Sequence, residues 1–198
     1  MAKIELTYIT KGSQSVIGKA ARVCYDSEGT SSKTDEKLIR MLIRKDHLSP
    51  LEHAYATFHI DGCSRAMTHQ LVRHRLASYS QRSQRYVSEE MFDFVVPPSI
   101  KKCVGCIYEF EDDMRTIQNM YDKWRDRGIP KEDARFVLPN ACTTSIMVSA
   151  NFREWRHILS LRTSKYAQWE IRDVCNEILN VLEANAPACF DDIKMESI

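Results

Sequence analysis

Polar and apolar residues alternate from Ile4 to Ile9, which predicts a strand. From Ser13 to Tyr25 the period lengthens to that of a helix, with Val16, Ala20, Val23 and Cys24 near one stripe. Asp26 to Lys33 is polar and reads as a loop. Thr34 then caps a helix to Lys45, with Asp35 and Glu36 suited to its positive end. His47 to His53 reads as a loop around Pro50. Ala54 to Ile60 alternates again: Ala54, Ala56, Phe58 and Ile60 share one face, Tyr55, Thr57 and His59 the other. Ser64 to about Arg75 reads as a helix, followed by a polar segment from Ser78 to Tyr86. Phe92 to Val96 predicts a short strand stopped by Pro97 and Pro98. A long helix follows from Ile107 to Arg127, closed by Gly128. Pro130 opens a short helix that ends before Pro139. Thr143 to Ala150 reads as a strand. Asn151 and Glu154 have the spacing of an N-cap and its capping-box partner, leading a helix to Leu161. Gln168 to Glu183 is the last helix, stopped by Pro187. Few strands interleaved with long helices predict an α+β fold with a small, mostly antiparallel sheet, as one domain over residues 1–198.

Composition narrows the function. The 198 residues suit a single domain. With 28 Lys+Arg against 27 Asp+Glu, the chain has no global field to attract nucleic acid or an anionic membrane. No stretch reaches the roughly 18 apolar residues of a membrane span. Met1 to Gly12 carries Glu5 and alternates, unlike a signal peptide. Seven irregularly spaced cysteines fit a reducing compartment, so a cytoplasmic protein is expected. Neither G-x-G-x-x-G nor G-x-x-x-x-G-K-[ST] is present, so a bound nucleotide must be gripped by side chains. Arginine suits that task because its planar fork matches phosphate oxygens.

Local charge is far from balanced. Between Asp61 and Glu89 there is no carboxylate, while Arg65, Arg73, Arg75, Arg82 and Arg85 all fall there. Ser78, Tyr79, Ser80, Ser83, Gln81 and Gln84 lie among them. Arg73, His74 and Arg75 also fit the last turn of a helix, where cations suit the dipole. Residue types alone leave an anion site and a solvated basic face both open. Arg65 to Arg85, with Tyr79 and Tyr86, also has the make-up of an RNA-contacting patch, although no RNA-binding motif is present. In a second basic group, Arg135, Arg153, Arg156, His157 and Arg162, the acids Glu132, Asp133 and Glu154 are interspersed, which favours surface pairing. The histidines and the Cys103/Cys106 pair lack the spacing of a metal centre, so no metal is expected. Cys142 reads as a buried strand-end cysteine, not a thiolate nucleophile.

Arg73-His74-Arg75, followed by seven residues and Ser83, resembles the signature of the flavin-dependent thymidylate synthases. Ser49-Pro50-Leu51-Glu52-His53 resembles that family's loop before its second strand. Gln70 and Arg135-Phe136-Val137-Leu138-Pro139 are also in place. So are Asn151-Phe152-Arg153 with His157, Leu161-Arg162, and Ala167-Gln168-Trp169-Glu170-Ile171. The resemblance implies reductive methylation of dUMP to dTMP. Methylenetetrahydrofolate would donate the carbon, and FAD reduced by NADPH the hydride. It also implies a homotetramer whose active sites borrow residues from several chains, with small-molecule partners and no nucleic acid or membrane.

By the same resemblance, Ser49, Arg73, His74, Arg75, Gln81, Asn151, Arg153 and His157 contact FAD. Gln70, Leu71, Val72, Arg73, Gln81, Arg82, Ser83, Gln84, Arg85, Arg135 and Arg162 contact dUMP. His47, Glu52 and His53 lie near the flavin or folate. Arg162 is the implied catalytic residue, a permanent cation for the uracil N3 anion. Ser83 matches a position that is either a nucleophile or a ligand. A serine nucleophile needs an adjacent base, and none is evident, so a hydrogen-bonding ligand is expected. Gln81 stands where many members carry Glu. Arg82 stands where many are apolar, and its side chain is expected to face either the phosphate or solvent. Cys103 and Cys106 have no role in the family pattern.

Overall fold

The computed structural model describes residues 2–27 and 31–195. The chain begins with β1 (Lys3–Ile9) and the helices α1 (Ser13–Tyr25) and α2 (Ser32–Arg44). A 3-10 turn over Ser49–His53 leads to β2 (Tyr55–Ser64), the short α3 (Arg65–Leu71) and β3 (Ser78–Gln81). Next come α4 (Pro98–Lys102), α5 (Cys106–Asp126) and α6 (Lys131–Ala134). The chain then forms β4 (Thr143–Asn151), α7 (Phe152–Arg162), α8 (Trp169–Asn185) and α9 (Pro187–Phe190). The four strands make one antiparallel sheet in the order β1-β2-β4-β3.

Period-2 alternation sends Ala56, Phe58 and Ile60 of β2 and Ile146, Val148 and Ala150 of β4 into the core. Trp155, Ile158 and Leu159 of α7 and Ile171, Cys175 and Ile178 of α8 meet them there. Phe58 and Trp155 pack edge to face at 5.2 Å, and the Trp155 indole N–H donates to the Ala56 carbonyl at 3.0 Å. The opposite sheet face is mostly polar, with Tyr55 and Met147 among its hydroxyls and His59, and contributes nothing to the described core. Thr57 Oγ1 and Ser149 Oγ lie 2.8 Å apart across it, and His59 Nε2 and Ser145 Oγ 2.6 Å. A smaller cluster of Phe92, Met114 and Cys142 fixes α5. Cys103 and Cys106 are joined as a disulfide in the turn before α5. No helix among the described residues is long and apolar enough to cross a membrane.

Several elements differ from the sequence expectation, each for a local reason. The α2 cap is Ser31, and Thr34 is its capping-box partner. Of the expected polar loop from Asp26 to Lys33, residues 28–30 lie outside the described residues. The last helix expected before Pro187 runs on to Asn185, and Pro187 itself opens α9. Phe92 to Val96 makes a single bridge, Phe94 to Cys142, before the proline pair ends it. The polar segment after α3 contains an edge strand: Tyr79 and Gln81 face inward while Ser78 and Ser80 are exposed. The helix expected to reach Arg75 stops at Leu71. The Tyr79 hydroxyl is shared between the carbonyls of Leu71 (2.8 Å) and His74 (3.0 Å), which tie the turning chain to β3.

The start of α3 is held as firmly. Ser64 is its N-cap, with Oγ accepting from the Met67 N–H at 3.0 Å. Ser64 in turn donates its backbone N–H to Glu170 Oε1 at 2.7 Å and its hydroxyl to Glu170 Oε2. Glu170 is buried in the first turn of α8, where Gln168 Oε1 accepts the N–H groups of Glu170 and Ile171. Replacing Glu170 by Ala orphans a buried N–H and hydroxyl. It should lower the unfolding free energy by about 1–3 kcal/mol in urea denaturation. A change below about 0.5 kcal/mol, the scatter of ordinary surface substitutions, contradicts the clamp.

Candidate active site

The turn after α3, the start of α7 and the 3-10 turn before β2 enclose an open cleft of about 1100 Å³. Arg73, His74 and Arg75 come from the first. Asn151, Arg153, Glu154 and His157 come from the second, and Glu52 from the third. Six of the eight residues expected at FAD therefore line one cavity. Ser49 and Gln81 do not. Ser49 is exposed at the start of the 3-10 turn, and Gln81 donates its amide to Thr68 Oγ1 (2.9 Å) and Thr144 Oγ1 (3.4 Å). Glu52 sits in the cleft, paired with Arg153 at 2.5 Å, whereas His47 and His53 are exposed beside it. Because α3 ends at Leu71, the Arg73–Arg75 triplet lies just past the last helical turn and not within it, beside the C-terminal carbonyls of α3.

The cleft's cations are not equivalent. Arg156 makes a two-pronged pair with Asp192 at 2.6 and 2.7 Å. Arg153 is tied to Glu52. Arg73 and Arg75 have no carboxylate partner among the described residues and are exposed. Two unneutralised guanidiniums beside an asparagine amide and a histidine suit a pyrophosphate.

Arg162 ends α7 next to this cleft. Its Nε donates to His74 Nε2 at 3.0 Å, and its Nη2 approaches the Gln70 carbonyl at 3.5 Å. Gln70, Arg73, His74 and Arg162 thus gather at the C-terminal end of α3. Leu71 is buried in the core and Val72 is exposed, so Leu71 offers a ligand only backbone.

The other residues expected at dUMP lie toward the N-terminal end of α3. Arg65 Nη2 donates to the Arg82 carbonyl at 2.7 Å. Arg82 pairs with Glu89 at 2.6 Å; the carboxylate is buried while the Arg82 side chain stays 37% exposed, so one end of the guanidinium is tied inward and the rest faces solvent. Arg85 pairs with Glu132 at 2.6 Å, and Arg135 Nε donates to the Glu132 carbonyl at 2.9 Å. Ser83 Oγ accepts from the Arg85 N–H at 3.2 Å, and no base is bonded to it among the described residues. Gln84 is half-buried in the same turn. Four guanidiniums (Arg65, Arg82, Arg85 and Arg135) face two carboxylates here, an excess suited to a phosphate dianion. Arg65 Nε and Glu89 Oε1 are buried without partners, and burial lowers the Arg65 pKa. The two groups are separated by the seven residues of α3, roughly 10 Å of helix.

Sequence reasoning missed Glu89, Glu132 and Glu154 as members of the site. Glu89 carries no local signal, and Glu132 was legible only as an acid interspersed in the second basic group. Glu154 was legible as a cap residue, and its backbone N–H does donate to Asn151 Oδ1 at 2.8 Å. Its carboxylate, however, turns toward His74.

Burial, then Arg162 and His157, push His74 down to about 4 from 6.5, so its ring is neutral near pH 7. The unfolded chain therefore binds the extra proton between those values. The His74 contribution to stability is complete above pH 6.5 and is lost as pH falls toward 4. Burial raises the Glu154 pKa, which acts in the opposite sense. A His74→Asn variant should lose less stability than wild type across this window, measured as urea midpoints against pH. Equal pH slopes for the two proteins contradict a buried neutral His74.

A family model described as thymidylate synthase complementing protein matches residues 5–188. A flavin-dependent thymidylate synthase from Geobacter sulfurreducens is 44% identical over 200 residues, covering 96% of this chain and 86% of that protein. One from Pyrococcus furiosus is 42% identical over 205 residues, covering 98% and 82%. One from Clostridium tetani is 37% identical over 211 residues, covering 95% and 85%. These likenesses run through the cleft, α3 and the Arg82–Arg85 segment alike, and the chain belongs to the flavin-dependent thymidylate synthase family.

Proposed function

We propose that this chain methylates dUMP reductively to dTMP, with methylenetetrahydrofolate as carbon donor and NADPH-reduced FAD as hydride source. The observation that carries this reading is the cleft itself. It is slightly larger than the usual ligand pocket, and it combines Arg73 and Arg75, unpaired among the described residues, with Asn151, His157 and a neutral His74. That donor set fits FAD, whose pyrophosphate needs cations in a chain without a glycine-rich cradle. Arg73, His74, Arg75, Asn151, Arg153 and His157 would hold it, with Glu52, His53 and His47 at the mouth and Ser49 and Gln81 flanking. Bound FAD supplies the hydride that completes the methyl group.

The protein's own residues do the rest. Uracil C5 is a weak nucleophile, and electron density reaches it as the N3 proton leaves. Arg162 stabilises the resulting N3 and O2 charge as a cation that cannot be deprotonated, held at its Nε by His74. Gln70 and the backbone of Leu71 and Val72 border the same position. Ser83, Gln84, Arg85, Arg82 and Arg135 present a net positive surface to the phosphate, with Ser83 as a hydrogen-bonding ligand. Burial pushes Cys142 up to about 12, so it stays a thiol near pH 7 and does not suit thiolate attack on uracil.

One chain holds the uracil-facing cation and the phosphate-facing group at opposite ends of α3. A homotetramer that brings one end from each of two copies together would complete the site, and this reading includes that assembly. The polar sheet face left outside the core is available to it. A cytoplasmic location fits the mostly free cysteines. An RNA-binding role is disfavoured because the family to which the chain belongs is one of flavin-dependent thymidylate synthases.

The purified protein should show a flavin absorbance band that NADPH bleaches anaerobically, at a rate that dUMP changes. Arg162→Ala should keep the band and lose about a hundredfold or more in turnover. A colourless protein that stays so after added FAD contradicts the cofactor, and near-normal turnover in Arg162→Ala contradicts its role.

A further inference from the structure

Glu154 is only 5% exposed, lines the cleft and has no side-chain hydrogen bond among the described residues. Its carboxylate faces the cleft, where burial raises its pKa and the neighbouring His157 acts against that shift. Its Oε1 lies 3.9 Å from His74 Nδ1, on the side of the ring opposite Arg162. The guanidinium of Arg162 has donors only. Its Nε–H points at His74 Nε2, which favours a lone pair on that nitrogen and the single proton of the neutral ring on Nδ1. A protonated Nδ1 is attracted by the Glu154 carboxylate, whereas a bare Nδ1 lone pair facing it would be repelled. The two neighbours therefore select the same tautomer from opposite sides.

We propose that Glu154 is a positioning residue that locks His74 in its Nδ1–H tautomer and, through it, aims the Arg162 guanidinium. The ring is kept in place from behind by its own carbonyl, which accepts from Tyr79, and by His157 at 5.7 Å between centroids. Arg162 Nη1 has no partner among the described residues and is the part of the fork left for a ligand. The proposal rests on the reading of Arg162 as the uracil-facing cation only for its effect on turnover. The tautomer lock stands on this chain's geometry alone.

The test is the nitrogen spectrum of 15N-histidine-labelled protein, with His74 assigned by its loss in His74→Asn. Wild type should show His74 protonated at Nδ1. In Glu154→Gln the amide can donate to Nδ1, which favours the other tautomer and sets Nε2–H against the Arg162 N–H. That variant should show the proton moving to Nε2. Its turnover should fall about tenfold or more, as for other groups that orient a functional ligand, with flavin still bound. Glu154→Asp keeps the charge and should retain the Nδ1–H form and part of the turnover. A wild-type His74 protonated at Nε2 overturns the lock, as does an unchanged tautomer in Glu154→Gln. A tautomer that moves while turnover stays normal upholds the lock and sinks the proposed role of Arg162 instead.

Discussion

The site depends on how a helix of only two turns is held. Helix α3 is too short to be stable by itself, so both of its ends are fixed from outside. Glu170 grips Ser64 at the start, and the Tyr79 hydroxyl takes the carbonyls of Leu71 and His74 at the finish. Gln70 and the Arg73–Arg75 turn leave from its C-terminal end, where Arg162 of α7 meets them, and Arg65 at its N-terminal end reaches the Arg82 carbonyl. The block around Gln168 and Glu170, which contributes nothing to the cleft, is thereby explained: it caps α8 and anchors α3.

Charge is distributed by the same arrangement. At the C-terminal end, Arg73 and Arg75 are left without carboxylates, and Arg162 faces a histidine that burial keeps neutral. At the N-terminal end, Glu89 and Glu132 hold the arginines of the signature segment in place while leaving net positive charge. A neutral His74 matters because a protonated ring would repel Arg162 3.0 Å away. A chain of balanced net charge thus builds two strongly cationic surfaces by keeping carboxylates out of one segment and placing a few where they orient the guanidiniums.

Much of the fold was legible in the sequence. The alternation in β1, β2 and β4 and the helical periods of α1, α5, α7 and α8 all reflect one face packed on one core. The exceptions share a cause. Strand β3 is polar and pairs through backbone, so periodicity says little about it. The end of α3 is set by Tyr79, eight residues beyond Leu71. Site residues were less legible, because charge and residue type left Arg73–Arg75 open between a helix terminus and a ligand site, and only the family resemblance separated the two. Arg82 was expected to face phosphate or solvent; it is solvent-exposed and also paired with the buried Glu89, a partner its sequence neighbourhood does not announce. Asn151 and Glu154 have capping-box spacing, yet only half of the box forms, since the Glu154 carboxylate meets His74 from a distant part of the chain.

The most direct measurement tests the proposal that the two ends of α3 serve sites shared between copies. Arg162→Ala and Arg85→Ala each disable one end and should each be inactive alone. Refolded together in equal amounts, they should recover about a quarter of wild-type activity, because a site built from two copies draws both intact halves in one pairing of four. Mixed oligomers that form, yet remain as inactive as either variant, would mean that each chain completes its own site.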